Sequence, residues 1–503
     1  MKAVVVGAGI SGLMSGLLLA ERGVNVRIYD KHEQVGGVTA LLKKNGYTWE
    51  QGPLLMGEFL PGEEAYEELK KHGIELKTVR GDRGIVMPDY EMWKPDEYRG
   101  PYWRRERLLE IFPGEREGIE KYYEIYDAMS ELTLPGTSKI RKLLLMFKVK
   151  KYAPWSAEQL MDHLFKDDRI KTLFTGILAD FCASPREFPA LGVPLLNLEG
   201  AFDKRIPLYE NGKKVRKGFC YFVGGVERLA EALAAKVKEN GGEILLGRTV
   251  ERIKVEAGTV KGVVLADGTV EPADIIVASG GAHEVFYDLV GKEYLDEEFE
   301  KILVEHKPME SVFMVHLGLD MNPLQYQKEA LCYYYKTYDL EDAIQRLRSG
   351  IYHEGRDGFL IYVPSFHTPE FAPPGHHAVT IYTVAPDTLK EGTWEEKKEE
   401  YTEKLIGLAE EHIPGLREHI KEKVIMTPVE YRRLAHLKKS GFGGLVPRLG
   451  VKYPPHKTCI RGLYFVGAQS ENAGGVAAVM MGAVRNFKNI EKDFRLKQEK
   501  KRC

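Results

Sequence analysis

The residues best placed to do chemistry are glycines. Gly7-Ala8-Gly9-Ile10-Ser11-Gly12 follows the apolar run Lys2-Ala3-Val4-Val5-Val6. Residues 13–22 then carry helical apolar spacing, and Gly23 stops them. Residues 24–30 alternate like a second strand that ends in a carboxylate, Asp30. In such a β-α-β unit each glycine has a task. Gly7 permits a tight turn, and Gly9 lets the backbone approach a pyrophosphate at the positive end of the helix. Gly12 lets helix and strand pack closely. Asp30, 18 residues after Gly12, is placed to accept hydrogen bonds from an adenosine ribose. A lone G-x-G-x-x-G would say little. Strand, glycines, helix, strand and acid in this order predict dinucleotide binding.

A second pair follows in Val35-Gly36-Gly37-Val38-Thr39. Together the two motifs resemble the flavin amine oxidase superfamily, in which the second adjoins the FAD pyrophosphate. The resemblance implies FAD as cofactor, with Gly7, Ala8, Gly9, Ser11, Gly12, Asp30, Lys31, Gly36, Gly37, Val38 and Thr39 along it. The family often has arginine where this chain has Val38, so one positive partner for the phosphates is missing. Tyr47-Thr48-Trp49-Glu50-Gln51-Gly52-Pro53 resembles the next family element, a strand and turn beside the flavin. Further on, a helix over 227–240 and strands near 243–246, 250–255, 260–265 and 274–278 resemble the middle FAD segment, in which the residue matching Val250 contacts the adenine. Gly467-Ala468-Gln469-Ser470 and Asn472-Ala473-Gly474-Gly475-Val476, followed by a helix over 477–487, resemble the segment that closes over the flavin. That adds Gly467, Ala468, Gly475 and Val476 to the implied contacts. Many members have aspartate where this chain has Ala468.

These elements imply an α/β fold: a Rossmann-like FAD-binding domain in three pieces, 1–75, 215–285 and 455–503. The substrate region, mixed α+β, would fill 76–214 and 286–454. Ile361-Tyr362-Val363-Pro364-Ser365 and Ala372-Pro373-Pro374-Gly375-His376-His377 narrow the likeness to phytoene desaturases, carotenoid isomerases and retinol saturases; Ala183-Ser184-Pro185 and Thr427-Pro428 match more weakly. In that group the chemistry is desaturation, saturation or isomerisation of a long apolar isoprenoid or polyene. The same fold leaves two alternatives: an amine or porphyrinogen oxidase-like enzyme, or a non-enzymatic prenyl-lipid carrier. The electron acceptor or donor stays unknown.

Composition agrees with a globular chain. Of 503 residues 44% are hydrophobic and 29% charged, and 72 basic against 74 acidic residues leave a net charge of −2. That balance argues against nucleic acid as a partner, since phosphate binding needs a basic footprint. The 51 glycines exceed the usual ~7%. The cysteines, Cys182, Cys220, Cys332, Cys459 and Cys503, are scattered and odd in number, which predicts neither disulfides nor a zinc site. No signal-peptide or membrane-spanning pattern appears, so the expected location is the cytoplasm. One stretch, 139–151, has six basic residues, no acid, and Ile140, Leu143, Leu144 and Phe147 on one helical face. It predicts peripheral contact with an anionic membrane. The tail 488–503 is also basic, seven against three. Candidates for a role near the flavin are Glu50, Gln51, His376, His377, Glu471 and Asn472, each with a structural role as the plainer reading. Arg432 and Arg433 read as surface or interdomain residues. No catalytic residue is assigned, and no metal site is expected.

Overall fold

A computed structural model describes residues 1–471 and 474–496. Five parallel strands form the sheet that carries the glycine motifs. Their order is Glu243–Leu245, Asn25–Tyr29, Lys2–Val6, Ile275–Ser279, Leu463–Val466. The opening strand pairs with chain from the middle third on one side, and that strand in turn pairs with chain from the last fiftieth residue onward. Ile275–Ser279 is apolar and buried up to Ala278 because both its faces are covered. The helices Ile10–Ala20, Glu227–Glu239 and Val476–Phe494 bury their apolar faces on this sheet.

The strands read as one middle block divide between two sheets. Glu243–Leu245 and Ile275–Ser279 join the parallel sheet. Val250–Glu256, Thr259–Leu265 and Val270–Pro272 form a separate antiparallel sheet. The difference is visible in burial: Val250–Glu256 alternates between core and solvent, as a strand with one wet face does. The final helix also runs further than the small-residue pattern, to Phe494. Phe487 and Ile490 remain buried, and Arg22 pairs with Glu491 at 2.8 Å. The last residues of the basic tail, from 497, lie outside the described chain, as do Asn472, Ala473 and Cys503.

The second large element is a seven-stranded sheet. Its order is Ile420–Met426, Ser311–Leu319, His377–Ala385, Gly358–Tyr362, Leu331–Tyr335, Arg83–Val86, Glu91–Met92. Arg83–Val86 lies parallel to Leu331–Tyr335, and the other pairs are antiparallel. The sheet therefore draws strands from both 76–214 and 286–454. Helices of 103–196 pack into one apolar core with its far edge. Cys182, Cys220 and Cys332 are buried free thiols, and Cys459 is exposed.

Candidate functional site

The glycine motifs meet at the carboxyl ends of the parallel strands, where open α/β sheets bind ligands. Gly7 has φ +102° and its N–H donates to the Tyr29 carbonyl at 2.7 Å. A Cβ on Gly12 would lie 2.0 Å from the Gly7 carbonyl oxygen, so this glycine is a packing requirement of the fold. Gly9 differs. Its backbone is ordinary, φ −74° and ψ 175°, and a Cβ there would meet no atom within 4 Å. The space in front of Gly9 is open, and nothing in the protein demands glycine there.

The surrounding residues are tied to this turn. Asp30 Oδ2 accepts the Ala8 N–H at 2.6 Å, and Oδ1 accepts the His32 N–H at 2.8 Å. A carboxylate has about four acceptor positions, so Asp30 keeps capacity for hydroxyl donors. Gly36 donates to the Ala8 carbonyl at 2.9 Å, and Gly36 and Gly37 both have positive φ. Thr39 Oγ1 donates back to the Gly36 carbonyl, and the Val38 carbonyl lies so near Gly52 that a Cβ on Gly52 would come within 2.5 Å of it. Lys31 is exposed. Gly247 and Arg248 donate to the carbonyls of His32 and Asp30, which sets Val250 beside this edge.

The third segment arrives through sheet pairing. Gly467 has φ +120°, and a Cβ there would stand 3.6 Å from both Ser11 Oγ and Ser279 Oγ; those two hydroxyls are 3.1 Å apart. Gly474 lies against Ala468, and Gly475 precedes the helix that Val476 opens. The helices beginning at Ile10 and Val476 have no side-chain cap and no acid in their first turn. Their free N–H groups and positive ends suit an anion. Open space at Gly9, two uncapped helix starts and an unsaturated Asp30 fit a dinucleotide. Ser279 and Gly280 belong to this cluster and were missed. The signal was present: Gly280-Gly281 directly follows an apolar strand.

Glu50 stands out beside the cradle. It is buried; Oε2 accepts the Tyr362 hydroxyl at 2.6 Å and Oε1 the Val226 N–H at 3.1 Å. The Tyr362 hydroxyl also meets His367 Nε2 at 2.9 Å, and Tyr221 stacks on His367 with centroids 4.3 Å apart. Burial pushes the Glu50 carboxyl up to about 7 and the His367 ring down to about 3. Tyr362 entered the sequence reading only as part of a family motif and His367 not at all, because both lie over 300 residues from Glu50.

The other candidates have structural partners. Gln51 donates to the Ala40 carbonyl. His376 bonds the Tyr47 hydroxyl, and His377 the Ser365 hydroxyl, which itself accepts the Ala378 N–H. Glu471 pairs with Arg485 at 2.5 Å and His456 at 3.0 Å. Arg432 pairs with Asp387, and Arg433 is exposed. No group of side chains with metal-holding geometry occurs among the described residues.

A family model described as flavin containing amine oxidoreductase matches residues 10–485. Prolycopene isomerase 1 of an Oncidium hybrid cultivar is 25% identical, covering 99% of this chain and 85% of its own. A 4,4'-diapophytoene desaturase of Methylomonas is 25% identical, covering 98% and 96%. Among solved structures, an oxidoreductase from Methanosarcina mazei has TM-score 0.64 at 20% identity, covering 97% of this chain and 100% of its own. A redesigned putrescine oxidase has TM-score 0.63 at 12%, covering 98% of each. These two structures are similar in fold.

Two expectations follow. Gly12→Ala lowers the stability of flavin-stripped protein by about 1–3 kcal/mol, because backbone must move. Gly9→Ala leaves that stability within about 0.5 kcal/mol but reduces bound FAD; full flavin content would show that the open space serves something else. For Glu50, the folded chain keeps a proton that the unfolded chain loses near 4.5. Its contribution to stability is therefore complete below that pH and is lost as pH rises through about 7. Denaturant titrations of Glu50→Gln should show a fall between about pH 5 and 8 that is smaller than in wild type by about 2–3 kcal/mol. Identical pH profiles would mean that the folded carboxyl is already ionised.

Proposed function

The chain belongs to the flavin containing amine oxidoreductase family and is an FAD-dependent oxidoreductase, and we propose that it acts on carbon–carbon bonds of a long apolar isoprenoid or polyene. The reaction would be desaturation, saturation or double-bond isomerisation. The names of the relatives point that way: prolycopene isomerase and diapophytoene desaturase. The observation in this chain that carries the reading is the apolar sheet face beside the cradle. Met314, Leu360, Tyr362, Tyr382 and Met426 share that face, and Tyr221 and Tyr431 pack on it. These side chains are closed to water, and such a lining suits a hydrocarbon by area and shape.

In this reading the cradle residues Gly7, Gly9, Gly12, Asp30, Gly36, Gly37, Gly467 and Gly475 hold the FAD. The bound flavin supplies acceptance or donation of a hydride. The aromatic face aligns the chain and excludes water. Glu50 holds a carboxyl on the cradle side of that face, with Tyr362 and His367 behind it.

Delivery of such a substrate favours a membrane surface. The helix Lys139–Val149 turns only Leu145 and Val149 inward, while Ile140, Leu143, Leu144 and Phe147 are 75%, 54%, 55% and 64% exposed. Basic side chains flank this stripe. Arg141 pairs with Glu131 on the preceding helix, Arg116–Leu132, which fixes the stripe outward. An exposed apolar stripe with a basic rim suits an anionic bilayer surface. No helix among the described residues is long and apolar enough to cross a membrane.

Anaerobic incubation of FAD-loaded protein with several polyenes, followed by mass spectrometry, tests the reaction. The expected product is two hydrogens lighter or heavier, or an isomer of equal mass. Flavin bleaching by amines or porphyrinogens alone would sink the proposal. In flotation with anionic vesicles at low salt, wild type should rise and Phe147→Glu should stay down. Wild type remaining at the bottom would end the membrane part.

A further inference from the structure

A cavity of about 60 Å³ lies between the seven-stranded sheet and the helical layer over it. Its floor includes Tyr333, Leu360 and Tyr382, which are direct cross-strand neighbours. Its roof comes from the turn Gly176–Phe181 and the helix Leu340–Arg348. A water needs roughly 10–15 Å³ of such space, so the cavity takes a small branched end group but not a whole chain. The lining is mainly aromatic and aliphatic, with Thr172, Thr337, Thr383 and His353 among it; the His353 ring is engaged by the Val384 carbonyl and the Gly355 N–H. Two carboxyl groups reach it. Asp357 is paired with Arg346 at 2.8 Å. Asp180 is held instead by the Tyr333 hydroxyl at 2.7 Å, and the buried Arg83 guanidinium acts on it at longer range.

A carboxyl group buried in apolar surroundings without an adjacent cation is unfavourable, and burial pushes Asp180 up to about 6. The Tyr333 hydroxyl uses one of about four acceptor positions. The position is also informative. The floor residues continue along one sheet face to Tyr362, whose hydroxyl is bound by Glu50 at the cradle. A chain lying on that face with its reactive part near Tyr362 points one end at Asp180. A hydrocarbon end would leave the remaining acceptor positions unfilled. An ammonium end would enter the positive field of Arg83. A neutral hydroxyl satisfies both constraints.

We propose that this cavity is a terminal subsite of the substrate, that it takes an apolar chain end carrying a hydroxyl, and that Asp180 is the residue that selects for that hydroxyl. The assignment rests on the reading that the substrate is a long apolar isoprenoid, and it names a subclass of it.

Binding to FAD-loaded protein, followed by the shift in the flavin absorbance and in the thermal midpoint, tests the proposal. The probes are geranylgeraniol, the same hydrocarbon without its hydroxyl, and the corresponding primary amine. Wild type should bind the alcohol roughly 10- to 100-fold more tightly than the hydrocarbon, as expected for a hydrogen bond to a charged or partly charged acceptor. Asp180→Leu should retain the hydrocarbon and lose the preference to below about 3-fold. The subsite is overturned, and the isoprenoid reading survives, if hydrocarbon and alcohol bind wild type equally, if Asp180→Leu keeps the preference, or if the amine binds best while the hydrocarbon still binds. Failure of both alcohol and hydrocarbon to bind wild type overturns both readings. Should Asp180→Leu not fold, Ala343→Leu fills the cavity from the helix side; it should weaken alcohol binding, and unchanged binding overturns the subsite.

Discussion

The Glu50 carboxyl is enclosed by protein, yet both of its oxygens are used. One accepts the hydroxyl of Tyr362 and the other the N–H of Val226. Those three residues belong to three different stretches of chain: the hairpin strand Tyr47–Glu50, the turn that opens the helix Glu227–Glu239, and the strand Gly358–Tyr362 of the large sheet. A buried carboxyl tolerates few arrangements, because each unmet acceptor costs about 1–3 kcal/mol or more. The contact is therefore directional in a way that apolar packing is not. It sets the glycine cradle against the aromatic sheet at one angle, and everything laid between cofactor and substrate depends on that angle.

The two sides so joined do opposite things. The cradle side offers backbone: free N–H groups, glycines in left-handed conformation, and one acid held in place by amides. The sheet side offers bulk, with tyrosine, leucine and methionine on alternate positions. A polar, rigid cofactor is gripped by main chain and a flexible apolar chain by side-chain area. This division accounts for part of the glycine excess.

The cradle was largely legible from the sequence because its logic is local. Strand, glycine turn and helix lie within about thirty residues, and periodicity marks each of them. What periodicity cannot carry is pairing at a distance. Ser279 and Gly280 enter the cradle only because Ile275–Ser279 lies beside Lys2–Val6. His367 and Tyr362 gain meaning only from Glu50, and Asp180 only from strands well over a hundred residues later. Burial was a second blind spot. His376 and Glu471 looked chemically able, and the structure gives them ordinary partners. The stripe of Lys139–Val149 was readable as an apolar helical face among six basic residues and no acid, and the structure adds that this face is exposed.

The parallel sheet has a consequence for how the chain is made. Lys2–Val6 is synthesised well before its neighbour Ile275–Ser279, and Leu463–Val466 later still. The sheet cannot close, and the cradle cannot be completed, until Leu463–Val466 has been made. The opening β-α-β unit must wait on the ribosome with one edge unpaired and its apolar helix faces uncovered. Non-local pairing of this kind is slow and leaves sticky surface exposed. A nascent chain of this design depends on being shielded until the helix Val476–Phe494 arrives, and a truncation before that helix would uncover the opening β-α-β unit.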